Sequence, residues 1–165
     1  MKKLFMAVTA AFISVASFAQ SGPWSIGLNI GYGTDVEKPF LGGKIMYGIN
    51  ESFDVAGSFN YYFKDSYDFG YGDELTMKWW DINADVHWNV FKGTSYKLYP
   101  LAGLTYMQVK LSDGEDSDSD GKFGVNLGVG GQYDFTDNFA VGVELKAQII
   151  DGTQFVPMAT LMYKF

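Results

Sequence analysis

The sequence predicts an all-β protein, specifically an eight-stranded antiparallel transmembrane β-barrel with short periplasmic turns and longer extracellular loops. Three observations carry that expectation. After Gln20 the chain breaks into eight segments in which apolar and polar residues alternate with a period of two, the pattern of strands with two unlike faces. Its 165 residues make a single-domain length, and its 20 glycines, 11 tyrosines and 14 phenylalanines favour short strands and tight turns over helices. The chain also opens with an export leader. Met1-Lys2-Lys3 is a basic start, Leu4 to Val15 an apolar stretch, and Ser17-Phe18-Ala19 sets small residues before a cleavage point. Residues 1–19 therefore read as a cleaved secretory signal peptide, removed near Ala19 after Sec-type export, and 20–165 as a single barrel. The apolar stretch is short of the roughly 20 residues that an anchoring helix needs.

The strands follow in order. The first alternates Trp24, Ile26, Leu28, Ile30 and Tyr32 with Ser25, Gly27, Asn29 and Gly31; the second sets Leu41, Ile45, Tyr47 and Ile49 against Gly42, Lys44, Met46 and Gly48. In the third, Phe53, Val55, Phe59, Tyr61 and Phe63 oppose Asp54, Ala56, Ser58 and Asn60. The fourth alternates most sharply, with Trp80, Ile82, Ala84, Val86 and Trp88 against Asp81, Asn83, Asp85 and His87. The fifth runs from Tyr96 to about Lys110, is apolar on both faces, and leaves its register open. The sixth pairs Phe123, Val125, Leu127, Val129 and Tyr133 with Gly124, Asn126, Gly128 and Gln132; the seventh pairs Phe139, Val141, Val143 and Leu145 with Gly142, Glu144, Lys146 and Gln148. The eighth ends the chain, with Phe155, Ala159, Leu161, Tyr163 and Phe165 against Met158, Thr160, Met162 and Lys164.

The bulky set is too large for the inside of eight strands, where only packed side chains or one small ligand fit. It belongs outside, in lipid, with the small and charged set in the lumen. A one-residue slip would turn Lys44, Asp81, Asp85, Glu144 and Lys146 to lipid, at roughly 2–4 kcal/mol for each midplane lysine and less for each acid. These residues, with Asp54 and His87, are the expected lumen polar network, since buried charges need partners. A soluble ligand-binding barrel is the fold alternative.

Aromatic residues supply two rims. Trp24, Tyr47, Phe53, Trp88, Phe91, Tyr96, Tyr133, Phe139, Tyr163 and Phe165 fall near one, and Tyr32, Phe40, Tyr61, Phe63, Trp79, Trp80, Phe123 and Phe155 near the other. Pro23 and Pro39 stand at strand starts, while Pro100 and Pro157 lie inside strands and predict bulges there. The turns at 50–52, 92–95 and 136–138 are short and point to the periplasm; the segments 64–73 and 112–122 are long and point outward.

The leader, the eight alternating segments, the short inner turns and the ending Leu161-Met162-Tyr163-Lys164-Phe165 resemble the small outer-membrane barrels of the OmpX and OmpA N-terminal-domain type. The likeness covers the whole mature chain and is one of pattern. It implies an outer-membrane location, contact with lipid and lipopolysaccharide, and recognition of Tyr163 and Phe165 by the barrel-assembly machinery. It also implies roles in envelope integrity, adhesion or host interaction, and carries no common catalytic residues.

Composition excludes several chemistries. There is no cysteine for a disulfide, thiolate site or lipid attachment. All 12 basic residues are lysine, and the net charge of −7 becomes −9 when Lys2 and Lys3 leave, so nucleic acid is repelled. His87 is the single histidine, read as a packed, hydrogen-bonded lumen residue beside Asp85 rather than a pH sensor. Glu144 and Lys146 read as pairing partners rather than an acid/base couple, because a lumen gives substrate no access. The glycines at 27, 31 and 33 and at 124, 128, 130 and 131 precede no helix, so they read as close packing rather than a phosphate loop. Asp116, Asp118 and Asp120, before Gly121, match the first half of a calcium loop, but Leu127 stands where a bidentate glutamate is needed. A solvated acidic loop spanning 113–121 is the main reading, and weak calcium binding the alternative. No cofactor is otherwise expected. The function expected is non-enzymatic, an envelope-stabilising or adhesion-like role through surface loops with an unidentified ligand. A narrow channel for small solutes is the alternative.

Overall fold

A computed structural model describes residues 24–63, 66–68, 74–113 and 116–165, with backbone alone for 66–68, 74–77, 111–113 and 116–119. The leader, its cleavage point and Pro23 lie outside the described residues. Eight long strands form the barrel: β1 Trp24–Gly33, β2 Lys38–Gly48, β3 Phe53–Tyr62, β4 Glu74–Trp88, β5 Tyr96–Asp113, β6 Asp116–Asp134, β7 Phe139–Ile149 and β8 Thr153–Lys164. Each pairs antiparallel with its sequence neighbours, and β1 closes the ring on β8 from Ser25↔Lys164 to Gly31↔Met158. Within the ring, closure leaves no sheet edge, which a bilayer requires because lipid offers no hydrogen bonds to backbone groups. Ser66–Asp68 extends the outer end of β4, and Phe91–Lys92 pairs with the start of β5.

The short connections and both described ends share one end of the barrel, where the Phe165 amide donates to the Trp24 carbonyl at 3.1 Å. Their sequences explain their tightness. The Asn50 side chain accepts from the Ser52 and Phe53 amides at 2.8 and 2.9 Å, and the Thr136 hydroxyl accepts from Phe139 N–H at 2.9 Å. Short turns mark it as the end expected to face the periplasm.

The period-two reading holds in all the strands for which a register was predicted. Outward residues such as Ile30, Val143 and Phe123 are 62%, 62% and 81% exposed, whereas Asn29, Asp81, Asn126 and Lys146 are fully or almost fully buried. Strand β5 resolves with Tyr99, Leu101, Thr105 and Met107 inside and Leu98, Leu104 and Tyr106 outside. It reads as apolar on both faces because its lumen side supplies the rings and methylenes that fill space between polar layers.

Three expectations are corrected. Neither Pro100 nor Pro157 makes a bulge: the pairs Tyr99↔Gly130, Pro100↔Val129 and Val156↔Lys146, Pro157↔Leu145 run in unbroken register. Each proline instead lies one residue past the end of the ladder on its other side, at His87↔Leu101 and Gly31↔Met158, where a missing N–H costs nothing. Phe40 and Trp79 do not join the outer rim. Phe40 is fully buried in the lumen with Tyr62, Met107, Val156 and Met158, and Trp79 packs against that cluster. Finally, 112–113 and 116–122 are strand rather than loop, because β5 and β6 stay paired out to Asp113↔Asp116, past the outer rim.

The remaining aromatics do form two rims. At the inner end Trp24 meets Tyr47 at 4.7 Å, Phe53 stacks on Trp88 at 6.5 Å, and Phe139, Tyr163 and Phe165 meet edge-on. At the outer end Phe59, Trp80, Tyr106 and Phe123 form a chain of contacts at 4.7–5.9 Å.

Candidate functional site

The lumen is filled in layers. At the periplasmic mouth Asp54 takes the Lys97 ammonium at 2.5 Å and the Asn89 amide at 3.1 Å, while Asp134 pairs with Lys164 at 2.7 Å. Above it, Met46, Ala56, Ala140 and Met162 form a small apolar cluster. Next comes the charged layer. Lys44 is in direct ion-pair contact with Glu144, whose Oε1 also accepts the Tyr99 hydroxyl at 2.8 Å. Lys146 lies 3.1 Å from Asp85. The expectation of a hydrogen-bonded His87 is corrected: its ring is held by stacking on Tyr99 with centroids 4.4 Å apart, its Nε2 3.9 Å from Glu144 and both ring nitrogens without a hydrogen bond among the described residues.

The following layer is built of amides around one acid. Asp81 accepts from Asn60 at 2.8 Å, Asn83 at 2.5 Å and the Tyr62 hydroxyl at 2.7 Å. Asn126 bridges the two layers, donating to Asp85 at 2.7 Å and to Asn83 at 2.9 Å. Gln148 donates to Asn83 at 3.0 Å and accepts from Gln154 at 2.7 Å; Thr160 and Asn29 extend the chain to Asn60. Glycine makes room for these groups. A Cβ at Gly103 would lie 2.3 Å from an Asp85 carboxylate oxygen, and one at Gly42 would lie 2.2 Å from the Asn60 amide oxygen. The Phe40, Tyr62, Met107, Val156 and Met158 cluster closes the outer side.

Above that cluster the outer mouth widens into a cavity of about 330 Å³. Val36, Trp79, Met107, Val109 and Ile150 make its apolar wall, and Asp35, Asp120, Lys122 and Asp151 stand at its edge. Lys122 contacts Asp151 at 2.5 Å and Asp120 at 3.7 Å.

This architecture can be set beside known proteins. The outer membrane protein beta-barrel domain family matches residues 5–160, nearly the whole chain. The chain belongs to that family. Membership puts this outer-membrane barrel in the outer membrane. No curated protein sequence matches it. Among solved structures, the N-terminal β-barrel domain of Pseudomonas aeruginosa OprF is similar at TM-score 0.67 and 18% identity, covering 88% of this chain and all of that one. Ail, the attachment invasion locus protein of Yersinia pestis, is similar at TM-score 0.60 and 21% identity, with the same coverage. The outer membrane enzyme PagL is similar at TM-score 0.50 and 13% identity, covering 86% of this chain and 98% of that one. At these identities the likeness is one of fold.

Of the residues singled out from sequence, the outer-membrane barrel brings Lys44, Asp85, His87, Glu144 and Lys146 together in one layer, with Asp81 in the next and Asp54 apart at the mouth. Asp116 and Asp118 have side chains outside the described residues; Asp120 is exposed and faces Lys122. Their backbone is extended strand rather than a wrapped loop, which spaces alternate residues roughly 6.7 Å apart. Tyr163 faces out between Phe139 and Phe165. Sequence reasoning missed Tyr62, Tyr99, Lys97 and Gln154. Strand parity alone marks Tyr62 and Gln154 as inward; Tyr99 and Lys97 needed the β5 register.

Proposed function

We propose that this chain is a non-enzymatic outer-membrane scaffold, exported with cleavage near Ala19, that works through what it presents at the outer surface. The carrying observation is the filled lumen. Asn29, Asn60, Asp81, His87, Asn126 and Lys146 each have zero exposure, so no water-filled path passes them. The charged layer is poorly placed for catalysis, since Glu144, His87 and Lys44 are all buried and engaged with one another or with neighbours. Among the described residues, the β5–β6 hairpin rises beyond the Tyr106–Phe123 contact as a ladder reaching Asp113↔Asp116. A projecting acidic hairpin on a rigid base suits contact with lipopolysaccharide, with divalent ions lying between, or with a surface partner. In the same reading Tyr163 and Phe165 present the terminal strand to the assembly machinery, and calcium is no structural requirement.

Single-channel recording of the refolded barrel in a planar bilayer tests the reading. Protein shown to be inserted should pass no steady current. Reproducible conductance would overturn the scaffold in favour of a narrow channel. Unchanged lipid A after expression is the matching expectation against an enzyme.

A further inference from the structure

We propose that the outer-mouth cavity is a binding site for a small organic cation with an apolar body. This goes beyond the scaffold reading and does not depend on it. A barrel mouth is a common place for such sites, and about 330 Å³ lies at the lower end of small-ligand pockets. Its wall of Trp79, Met107, Val109 and Ile150 would bury an aliphatic or aromatic body. The polar groups at its base divide sharply. Gln148 and Gln154 are bonded to each other, and Gln148 also donates to Asn83, so they are occupied. The Trp79 indole Nε1 is buried without a partner among the described residues. Trp79 lines the cavity, so its indole N–H reports on what enters beside it.

Charge selects the rest. Asp35, Asp120 and Asp151 edge the cavity against the single ammonium of Lys122. Lys122 is already shared between Asp151 and Asp120, so the edge keeps an excess of negative charge with Asp35 unpaired among the described residues. A whole chain of net charge −7 reinforces the same sign. An anionic ligand would face repulsion; a cationic one would meet carboxylates once its body is seated.

Tyramine is a suitable probe, having an aromatic ring and an ammonium group. In lipid nanodiscs the four tryptophans give four indole N–H signals, and Trp79→Phe identifies the relevant one. Tyramine should move the Trp79 signal saturably and leave Trp24 and Trp88, at the inner rim, unmoved. The neutral analogue 4-ethylphenol and the anionic 3-(4-hydroxyphenyl)propionate need no variant. They should bind more weakly, roughly threefold for the neutral one, the equivalent of about 0.6 kcal/mol, because carboxylates this exposed are screened by water. Asp35→Asn with Asp120→Asn should weaken tyramine to a similar degree. Absence of a saturable shift, or equal binding of the anionic analogue, would overturn the site.

Discussion

Two adjacent layers of one lumen hold their buried carboxylates by different means. Glu144 and Asp85 face lysines directly, whereas Asp81, one layer outward, is surrounded by two asparagine amides and a tyrosine hydroxyl. A buried charge can be neutralised by an opposite charge or solvated by fixed neutral donors. The first depends on one partner at a time and fails steeply; the second is spread over several and fails gradually. The largest effect is therefore expected from Lys44→Met. Removing one side of a buried pair strands the other, so urea unfolding from lipid vesicles should show a loss of about 3–5 kcal/mol. Adding Glu144→Gln should recover part of it. If the double variant is no better than the single, Lys44 holds the layer by packing rather than by charge.

The same charge placed on the other face sharpens the comparison. Leu127 lies midway between the two aromatic rims on β6 and is 51% exposed to lipid. Leu127→Lys should cost about 2–4 kcal/mol in the same assay. A smaller loss would mean that the lysine escapes to the lipid headgroups and that this height is not the midplane.

Asp81→Asn comes third. It keeps the size and two acceptor lone pairs but loses the charge that strengthens three bonds, and should cost about 1–3 kcal/mol. A loss as large as that of Lys44→Met would erase the distinction between paired and solvated carboxylates.

What was legible in the sequence follows from the same physics. Which residues face lipid was readable because lipid tolerates no charge, so Asp81, Asp85, Glu144 and Lys146 fix the parity of their strands. Parity also carried the inward placing of Phe40 and Trp79, which share it with Lys44 and Asp81; an aromatic-rim argument misassigned them because both faces of a barrel use aromatics near its ends. β5 was not readable, since Tyr99, Leu101 and Met107 give its lumen side the look of a lipid side. Nor were the pairs themselves. Lys44 and Glu144 are 100 residues apart, and their meeting depends on how far each strand is staggered on the next. Strand tilt and stagger emerge only from the closed ring. The hairpin beyond the outer rim was hidden for another reason: its acidic, serine-rich composition is that of a loop, but ladder pairing against β5 overrides it.

The smallest effect is expected where the charges meet water. Lys122 and Asp151 approach within 2.5 Å, as near as Lys97 and Asp54, yet both are largely exposed at the outer mouth. Water already solvates both ions, and holding two side chains in place costs entropy, so exposed pairs contribute little. Lys122→Gln should leave the urea midpoint unchanged at both low and high salt. A shift that disappears at high salt would show that the outer mouth is less open to water than its exposure implies. A salt-independent loss like that of Asp81→Asn would show instead that the edge of the cavity, and not only the lumen beneath it, holds the top of the barrel together.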